Sequence, residues 1–550
     1  MNESQLFNGI HKPATNGSKE QPYTISETPL GQPRAIRVVV VGAGASGLNM
    51  ARQIDTHMEN VEYVVYEKNP EVLGGTWFEN RYPGCTCDLP SVNYQFSWAP
   101  NPNWTKLNIR LNHAIVGAEW DEAAGVWNIE IRDLVNGNRL HNWSHALINA
   151  PRSSHWKWPD IAGLHDFEGK LMHSACWDVA YDMRGNTVAV IGSGSSGVQI
   201  IPALQPHVKS LITFISSPTW ITAGYAQKFA GPGGANFTCD RGQCFYFRSQ
   251  DKAYLDYRKD MKSELNRRFN ILLKDTPEQA AAKDFSKTEM EMRVQKDARL
   301  VKTLIPDFPV GCRRSYPGNA YLEALVAPNM MIVTDAIERI TKTSMILSTG
   351  EHVEFDALVC ATGFDVSFRP RFPIMGRGGV SLEQHWTEGL PQAYLSLAVE
   401  LFPNYFDFLG PNCPIGHGSV VPIAEHAAKY MINMLQKMQT QNTKTFVPKA
   451  DAVRDFNEHI SAFMERTVWS AKCRSWYKNG MTDGPVVGLH PGSRIHWFHV
   501  LDDPRYEDYE FSYWTISRFQ YLGNGFSTRE AEDRDSSYYL DQPWAGIRSY

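Results

Sequence analysis

The stretch Val38-Val39-Val40-Val41-Gly42-Ala43-Gly44-Ala45-Ser46-Gly47 decides the fold of this chain. Its apolar run predicts a buried parallel strand, and the GxGxxG motif after it predicts a tight turn that opens a helix. A second such motif, Gly192-Ser193-Gly194-Ser195-Ser196-Gly197, follows another apolar run, Val188 to Ile191. Backbone N–H groups at helix starts of this kind bind pyrophosphate. The sequence therefore predicts an α/β protein with two Rossmann-like units that hold two dinucleotides at once.

The first unit also has the acidic residue that binds a ribose in such units. The run Val61 to Tyr66 predicts the second strand, and Glu67 follows it, twenty positions after Gly47. In the second unit the corresponding run, Leu211 to Ile215, ends at Ser216-Ser217-Pro218 without an acidic residue. Glu67 is therefore predicted to accept hydrogen bonds from the first ribose; the alternative is a surface glutamate at a strand end.

Length and composition indicate a globular protein of several domains. The chain has 550 residues, 43% of them hydrophobic and 21% charged, with a formal net charge of −5. At about 150 residues per domain this length predicts two to four units, and the charge provides no basic field for nucleic acid or an anionic membrane. No apolar run approaches the roughly 18 residues that span a bilayer, and residues 1 to 35 lack a signal peptide. We expect a cytosolic (cytoplasmic) protein, with no pattern that indicates an oligomeric state.

The nine cysteines show no CxxC pair and no histidine at zinc-ligand spacing. This scatter predicts no metal site and favours free thiols in a reducing compartment. A disulfide between Cys239 and Cys244 is the less favoured alternative.

Alternating apolar residues between 115 and 150 predict a small antiparallel insertion, and the charged stretch at about 250–305 predicts a helical insertion. The domain boundaries expected from these patterns are a disordered tail over 1–36, a first dinucleotide domain formed by 37–165 and 361–550, a linker over 166–180, and a second dinucleotide domain over 181–360.

Ordered segments along most of the chain carry a family resemblance. They are Gly74-Gly75-Thr76-Trp77, Asn80-Arg81-Tyr82-Pro83-Gly84, an FxGxxxHxxxWD motif with Phe167, Gly169, His173 and Trp177, Gly311-Cys312-Arg313-Arg314, Gly410 to Ser419, and Cys473-Arg474-Ser475-Trp476-Tyr477. From about Arg34 onward the chain resembles class B flavoprotein monooxygenases of the Baeyer–Villiger type. Within that family it is most similar to the fungal branch that modifies polyketides.

The resemblance implies FAD on the first glycine turn and NADPH on the second, with NADH as an alternative, and a ketone and O2 as the other reactants. The implied cofactor contacts are Gly42, Gly44, Ser46, Gly47, Glu67, Thr76, Trp77, Phe78, Glu79, Thr86, Cys87, Asp88, Leu89, Tyr94, Gly192, Ser193, Gly194, Ser195, Ser196, Gly197, Ser216, Ser217 and Arg313.

Three residues are implied in catalysis. Insertion of oxygen next to a ketone needs a fixed cation where negative charge develops, and the resemblance assigns this to Arg314. Asp88 would orient Arg314, and Trp476 would close over nicotinamide and substrate. The alternatives are that Arg314 binds phosphate, a task that better suits Arg313, that Asp88 is a turn residue and that Trp476 is part of the core. His173 is expected to couple domain motion rather than to transfer protons.

The sequence departs from the family in three places. Relatives have a helix-bearing segment of roughly 20 residues beside the flavin, and this segment is missing between Trp104 and Arg110. Its loss would admit water to one side of the flavin site. Pro151 stands where relatives have a small pair after Ala150, and it supplies no N–H to the turn. Ser216 stands where an arginine commonly binds the 2′-phosphate of NADPH, which leaves Arg313 as the charged group for that phosphate.

Two other functions stay open at this point. One is a class B monooxygenase that oxygenates nitrogen or sulfur, which the His173 and Trp177 form of the motif disfavours. The other is a flavoprotein that has lost oxygenation, as an NADPH oxidase or a pseudoenzyme, which the short Trp104 to Arg110 junction favours.

Overall fold

The computed structural model describes residues 23–70, 74–87, 94–98, 108–150, 155–222, 227–229, 231, 240–318 and 320–541. Asp88, Leu89, Trp104, Pro151 and Cys239 lie outside these residues, and so do the predictions made for them. The strands are, in chain order, β1 (Ile36–Val41), β2 (Val61–Tyr66), β3 (Ile109–Arg110), β4 (His113–Asp121), β5 (Val126–Asp133), β6 (Arg139–Ser144), β7 (Ala146–Asn149), β8 (His155–Trp156), β9 (Lys170–His173), β10 (Thr187–Ile191), β11 (Ser210–Phe214), β12 (Ile221–Thr222), β13 (Tyr316–Pro317), β14 (Met330–Val333), β15 (Ile337–Ile340), β16 (Ser344–Leu347), β17 (His352–Glu354), β18 (Ala357–Cys360), β19 (Phe364–Asp365), β20 (Ile374–Met375), β21 (Tyr405–Asp407), β22 (Thr443–Pro448) and β23 (Tyr509–Tyr513). The α-helices are α1 (Ala45–His57), α2 (Thr76–Glu79), α3 (Ser195–Leu204), α4 (Arg241–Ser249), α5 (Asp251–Asn266), α6 (Pro277–Arg293), α7 (Ala298–Leu304), α8 (Tyr321–Leu325), α9 (Leu382–Glu388), α10 (Val420–Thr440), α11 (Ala450–Met464), α12 (Arg494–Asp502) and α13 (Thr528–Ala531).

The first glycine motif lies at the edge of a five-stranded parallel sheet in the order β21-β7-β1-β2-β3. All six residues of β1 are buried, which explains why this strand is apolar throughout rather than alternating. Helix α1 covers one face of the sheet, and Asn49 in α1 donates from Nδ2 to the Ala424 carbonyl of α10 at 3.1 Å. The carboxyl ends of β1, β2 and β7 therefore meet beside the glycine turn.

The second glycine motif lies at the edge of another five-stranded parallel sheet, in the order β14-β11-β10-β18-β9. Strand β9 is part of the segment 166–180 that the sequence predicted as a linker. It pairs in parallel with β18, from Lys170 opposite Ala357 to His173 opposite Cys360. The FxGxxxHxxxWD motif thus contributes an edge strand to the second sheet, which a pattern of four residues is too short to reveal.

Smaller elements connect and flank the two sheets. A mixed sheet in the order β20-β4-β5-β6, antiparallel except for the parallel β20–β4 pair, follows the first β-unit, and α4 to α7 occupy 241–304 beside the second. Strands β8 and β19 form a two-stranded antiparallel ribbon, with Trp156 opposite Phe364. This ribbon lies where the chain leaves the first unit and where it returns, so the two crossings are hydrogen-bonded to each other.

The described part of the predicted disordered tail is packed against the domain. The Leu30 N–H donates to the Phe526 carbonyl at 2.7 Å, and Arg34 donates from Nη2 to the Thr443 carbonyl at 2.9 Å. These contacts join segments about 400 to 500 positions apart, so a local polar composition could not predict them.

Each sheet has its own apolar core, and Trp127, Trp220, Trp469 and Trp497 are almost fully buried. The predicted α/β class with two dinucleotide-binding units is confirmed. In the part of the chain that the structure describes, no helix is long and apolar enough to cross a bilayer. The same residues contain no group of three or more His, Cys, Asp or Glu side chains placed to hold a metal ion.

Candidate functional site: two dinucleotide turns and the loops between them

The first glycine turn has the shape that a pyrophosphate requires. Gly42 has φ +88°, which favours glycine, and a Cβ on Gly47 would overlap the Gly42 carbonyl oxygen. Gly44 is the N-cap of α1 and provides no side-chain cap, so N–H groups of the first helical turn face the position of a phosphate. Ser46 lies in that first turn. The residues present therefore fit the diphosphate of a dinucleotide.

Glu67 lies directly after β2 and beside this turn, and it is only 4% exposed. Its Oε2 accepts from the Ala43 N–H at 2.7 Å, and its Oε1 accepts from the Asn69 N–H at 3.0 Å. Each carboxylate oxygen has a second lone pair, so these bonds leave capacity for a ribose hydroxyl. Glu67 thus supports the glycine turn and is placed for the predicted ribose contact, which stays a prediction.

The predicted flavin-side residues lie next to the first turn. Gly75 has φ +78°, and a Cβ there would come within 3.0 Å of the Gly44 Cα. The short helix α2, Thr76–Glu79, begins at this contact and carries Thr76, Trp77, Phe78 and Glu79. The Trp77 ring meets the Tyr94 ring edge-on, with centroids 5.9 Å apart, and Trp77 is 48% exposed. An exposed aromatic pair beside the glycine turn is suited to cover a flat ring system.

A contact between the two units lies directly after α2, and the sequence did not predict it. The Tyr82 hydroxyl donates to Gln199 Oε1 at 2.9 Å, and Gln199 Nε2 donates to the Thr86 carbonyl at 2.9 Å. Gly84 lies so close that a Cβ would come within 2.7 Å of the Gln199 carbonyl oxygen. Gln199 belongs to α3, the helix of the second glycine turn. The segment from Tyr82 to the half-buried Cys87 is therefore bound to the second unit.

The second glycine turn repeats the geometry of the first. Gly192 has φ +116°, and a Cβ on Gly197 would overlap the Gly192 carbonyl oxygen. Gly194 caps α3 without a side-chain contact, and the nearest atom to a Cβ there is the Tyr316 hydroxyl oxygen at 4.0 Å. Ser195 and Ser196 open the helix. The space at Gly194 and the N–H groups of α3 fit a second pyrophosphate.

Arg313 reaches the end of β11, where the 2′-phosphate of NADPH is expected. Its Nη1 donates to Ser217 Oγ at 3.1 Å and its Nη2 donates to the Pro218 carbonyl at 2.7 Å. Ser193 Oγ donates to the Ser217 carbonyl at 3.5 Å, and Ser216 is exposed beside it. Burial lowers the pKa of Arg313. The structure thus brings together Arg313 and the two serines.

The expectation that the cysteines are free thiols is wrong for two of them. Cys312 and Cys473 form a disulfide between loops 161 positions apart, with a Cα–Cα distance of 6.4 Å. Both are buried, at 0% and 3% exposure. Spacing could not reveal this pair, because tertiary folding alone brings the two loops together. The bond links the segment that contains the half-buried Arg314 to the loop that contains Trp476.

Contacts of buried residues fix the loop that carries Trp476. Lys478 is fully buried and donates from Nζ to the Ala471 and Thr482 carbonyls at 2.6 and 2.7 Å. The half-buried Trp476 ring packs against the ring of the buried Tyr477, with centroids 4.6 Å apart. Asp88, the predicted partner of Arg314, lies outside the described residues. The structure therefore brings Arg314 and Trp476 into one disulfide-linked unit.

His173 lies at the carboxyl end of β9 and is fully buried. Its ring stacks on Trp156 at 4.8 Å and meets the edge of Trp158 at 5.8 Å. Nδ1 accepts from the Ala175 N–H at 3.1 Å, which places the proton on Nε2, 3.5 Å from Thr362 Oγ1. Burial lowers the pKa of His173 to about 4. The His173 ring is therefore neutral and packed beside the two chain crossings between the domains. This agrees with a role in positioning the domains rather than in proton transfer.

The other residues of the same motif serve packing. The Phe167 ring packs on Phe355 with centroids 4.9 Å apart, and a Cβ on Gly169 would come within 2.5 Å of the Asp356 carbonyl oxygen. Trp177 packs against the core of the second sheet. These contacts fix β9 at the sheet edge.

Asp407 is a further titratable residue that sequence analysis missed. It ends β21 at the carboxyl edge of the first sheet and is 3% exposed. Asn149 Nδ2 donates to its Oδ1 at 3.2 Å. Burial raises the pKa of Asp407 to about 8. No local motif marks it, because its surroundings come from strands more than 250 positions away.

Known proteins agree with this architecture. A family model described as an NAD(P)-binding Rossmann-like domain matches residues 40–109. The FAD-binding monooxygenase tazF of Aspergillus terreus is 38% identical over 94% of this chain and 96% of its own length. A Baeyer-Villiger monooxygenase of Pseudomonas aeruginosa is 30% identical over 88% of this chain and 92% of its own. The crystal structure of cyclohexanone monooxygenase from Rhodococcus sp. Phi1 bound to NADP+ superimposes with a TM-score of 0.74 at 23% identity, covering 88% of this chain and all of that one.

Two parallel sheets, each with a glycine turn fitted to a dinucleotide, define a two-nucleotide flavoprotein fold. The chain belongs to the family of FAD-binding monooxygenases that includes the Baeyer–Villiger monooxygenases. The predicted enzyme class and the predicted cofactors, FAD and NADPH, are those of this family.

Proposed function

We propose that this enzyme is a Baeyer–Villiger monooxygenase that inserts one oxygen atom of O2 next to a ketone carbonyl, giving an ester or lactone. Its proposed setting is fungal secondary metabolism in the cytoplasm, on a polyketide ketone, in the branch of the hydroxyversicolorone monooxygenase of the aflatoxin route. The observation that carries the proposal is the Cys312–Cys473 link between the Arg313-Arg314 segment and the Trp476 loop. Arg313 of that segment touches Ser217 at the second nucleotide turn.

The two glycine turns divide the cofactors. FAD would be held by Gly42, Gly44, Ser46, Gly47 and Glu67, and NADPH by the second turn with Arg313. When bound, FAD would supply the group that accepts electrons from NADPH and that activates O2. Relatives have an arginine at the position of Ser216, which this chain lacks. Arg313 provides the charged partner for a phosphate in its place, which supports NADPH over NADH.

Arg314 and Trp476 have different tasks in this proposal. A guanidinium keeps its charge at physiological pH and can donate two parallel hydrogen bonds. Arg314 would stabilise the negative charge that develops on the ketone oxygen, and Asp88 would orient it. Trp476 would exclude water from the reacting carbonyl, because it lies on a loop tied to the Arg314 segment by the disulfide.

The test is an oxygen balance. The purified protein is examined for bound FAD, and NADPH oxidation is followed with and without a cyclic ketone while oxygen consumption, peroxide and products are measured. We expect yellow protein and an ester or lactone that contains one atom of labelled O2, with little peroxide once ketone is present. Full conversion of the consumed oxygen to peroxide, or the absence of bound flavin, would contradict the proposal. Oxygenation of an amine or sulfide but of no ketone would identify the nitrogen- or sulfur-oxygenating alternative.

A further inference from the structure

A positively charged cleft of about 550 Å³ lies between the end of α5 and the start of α12. Its lining residues are Lys259, Lys262, Ser263, Asn266, Arg267, Phe269, Asn270, Ser493 and Ile495. These nine include three cations and no carboxylate. Ser493 caps α12 by accepting from the His496 N–H at 3.1 Å, so the positive end of the α12 dipole also faces this cleft.

Arg494 adds a further positive charge directly behind the cleft. It is 1% exposed, and its Nε and Nη2 donate to Asn266 Oδ1 at 2.7 and 2.5 Å. Its Nη1 donates to the Ser419 carbonyl at 3.3 Å. Both partners are neutral, so these bonds satisfy the guanidinium without cancelling its charge. Since Arg494 occupies Asn266 Oδ1, the amide group of Asn266 offers the cleft its Nδ2 donor.

Lys262 lies among cations on the inner side of the cleft. It is half-buried, and burial together with the charges of Arg258 and Arg494 lowers its pKa. The carboxylate that opposes this effect is Glu425, whose Oε1 already accepts from the Ser97 N–H at 2.6 Å and from Ser97 Oγ at 2.7 Å. Positive charge on this side therefore exceeds negative charge among the described neighbours of Lys262.

Packed rings lie between the cleft and the loops of the site described above. The Phe269 ring lies 5.3 Å from the His417 ring and 6.2 Å from the Trp469 ring. His417 belongs to the Gly410 to Ser419 segment, and its Nε2 accepts from the Arg494 N–H at 3.0 Å. Three residues beyond Phe269, Leu272 lies within 2.6 Å of where a Gly311 Cβ would be. The chain segment that lines the cleft thus packs directly against the start of the segment that carries Arg313 and Arg314.

We infer that this cleft binds the carboxylate of an acidic aromatic ketone substrate. The inference rests on the proposed function and names its substrate class. Lysine and arginine donate charge-assisted hydrogen bonds to a carboxylate, and Phe269 presents a ring face or edge to the attached aromatic ring. A neutral ketone of the same shape would gain the aromatic contact but not the charge.

The experiment uses the holoenzyme with 4-acetylbenzoate and its neutral methyl ester. The variants are the double substitution Lys262→Gln/Arg267→Gln, the charge-keeping Lys262→Arg, and Lys252→Gln as a control on the exposed start of α5. We expect KM for 4-acetylbenzoate to rise about fivefold in the double variant, as for the loss of two partly screened ion pairs. KM for the methyl ester is expected to stay within about twofold, a change worth less than 0.5 kcal/mol. Lys262→Arg and Lys252→Gln are expected to behave as wild type.

Calorimetric binding of 4-acetylbenzoate to the oxidised holoenzyme gives a readout that does not depend on turnover. We expect binding that weakens with added salt and with the double substitution. Equal affinity for acid and ester in the wild type, or an unchanged affinity in the double variant, overturns the inference. If neither ketone yields an ester while the acid still binds through Lys262 and Arg267, the proposed function fails and the anion cleft stands.

Discussion

Arg313 donates hydrogen bonds to Ser217 Oγ at 3.1 Å and to the Pro218 carbonyl at 2.7 Å, which places its guanidinium at the end of β11. A cation arrives at the second nucleotide turn from a loop about 100 residues further along the chain. We propose that this cation, rather than a residue of the strand end, gives the enzyme its preference for NADPH.

The Arg313→Gln variant should lose discrimination between NADPH and NADH. A hydrogen bond to a charged group is worth about 2 kcal/mol, so KM for NADPH should rise about thirtyfold while KM for NADH changes little. Steady-state oxidation of both nucleotides checks this, with Arg184→Gln, an exposed arginine paired with Asp182, as the control. An unchanged ratio of the two KM values would remove Arg313 from this role.

The Arg314→Ala variant should still be reduced by NADPH but should form no ester. The charge that stabilises the ketone oxygen is lost, and removing one such donor costs roughly 10²- to 10³-fold in kcat. Anaerobic flavin reduction is measured beside product formation, and Arg314→Lys, which keeps a charge, should recover part of the activity. Ester formed by the alanine variant at near the wild-type rate would show that Arg314 is not catalytic.

Opening the Cys312–Cys473 disulfide should loosen the Trp476 loop. The double variant Cys312→Ser/Cys473→Ser is expected to lose about 2 to 4 kcal/mol of stability and to release more peroxide per NADPH oxidised in the presence of ketone. Thermal unfolding and the peroxide yield measure the two effects. The control is Cys176→Ser, because Cys176 is exposed and free. A double variant as tightly coupled as the wild type would show that the bond does not support water exclusion.

The His173→Phe variant separates positioning from proton transfer. Phenylalanine keeps the stack on Trp156 but leaves the Ala175 N–H without its acceptor, at a cost of about 1 to 3 kcal/mol. We expect slower flavin reduction with an unchanged pH profile, because the His173 pKa of about 4 leaves the ring neutral above pH 5.5. An inflection between pH 6 and 7 that is present in the wild type and absent in the variant would assign His173 an acid–base role instead.

Asp407 should make the enzyme less stable as the pH rises. Its pKa is raised from 3.8 to about 8 in the folded protein, so the folded state holds this proton more tightly than the unfolded state. The contribution is full below pH 3.8 and falls by about 1.4 kcal/mol per pH unit up to pH 8. Asp407→Asn should flatten the dependence of Tm on pH between 5 and 8, whereas Asp335→Asn, at an exposed position, should not. Parallel curves for wild type and Asp407→Asn would contradict this assignment.

Features that depend on neighbours in the chain could be predicted from the sequence. The strand β1, the turn at Gly42 and the acidic end of β2 at Glu67 each follow from a short pattern of apolar residues, glycines and one carboxylate. The same holds for the second turn at Gly192. In each case the physical cause, a buried strand that ends in a left-handed turn, lies within about ten residues.

Features that depend on distant segments could not be predicted in this way. The Cys312–Cys473 bond, the Tyr82 to Gln199 hydrogen bond and the burial of Asp407 join parts of the chain more than 100 positions apart. The strand β9, which lies within the segment expected to be a linker, could not be predicted for the same reason, since four residues become a strand only when β18 lies beside them. The family resemblance named Arg314 and Trp476 but did not indicate that a disulfide joins their loops.

The β8–β19 ribbon limits how the two nucleotide units can move. Because Trp156 and Phe364 pair, the two crossings of the chain between the units form one hydrogen-bonded connection. Sliding one unit past the other would break the ladder of this ribbon, whereas opening and closing about it would not. A relative motion of the two units that keeps this ribbon intact is therefore a rotation about the ribbon and not a translation along the interface.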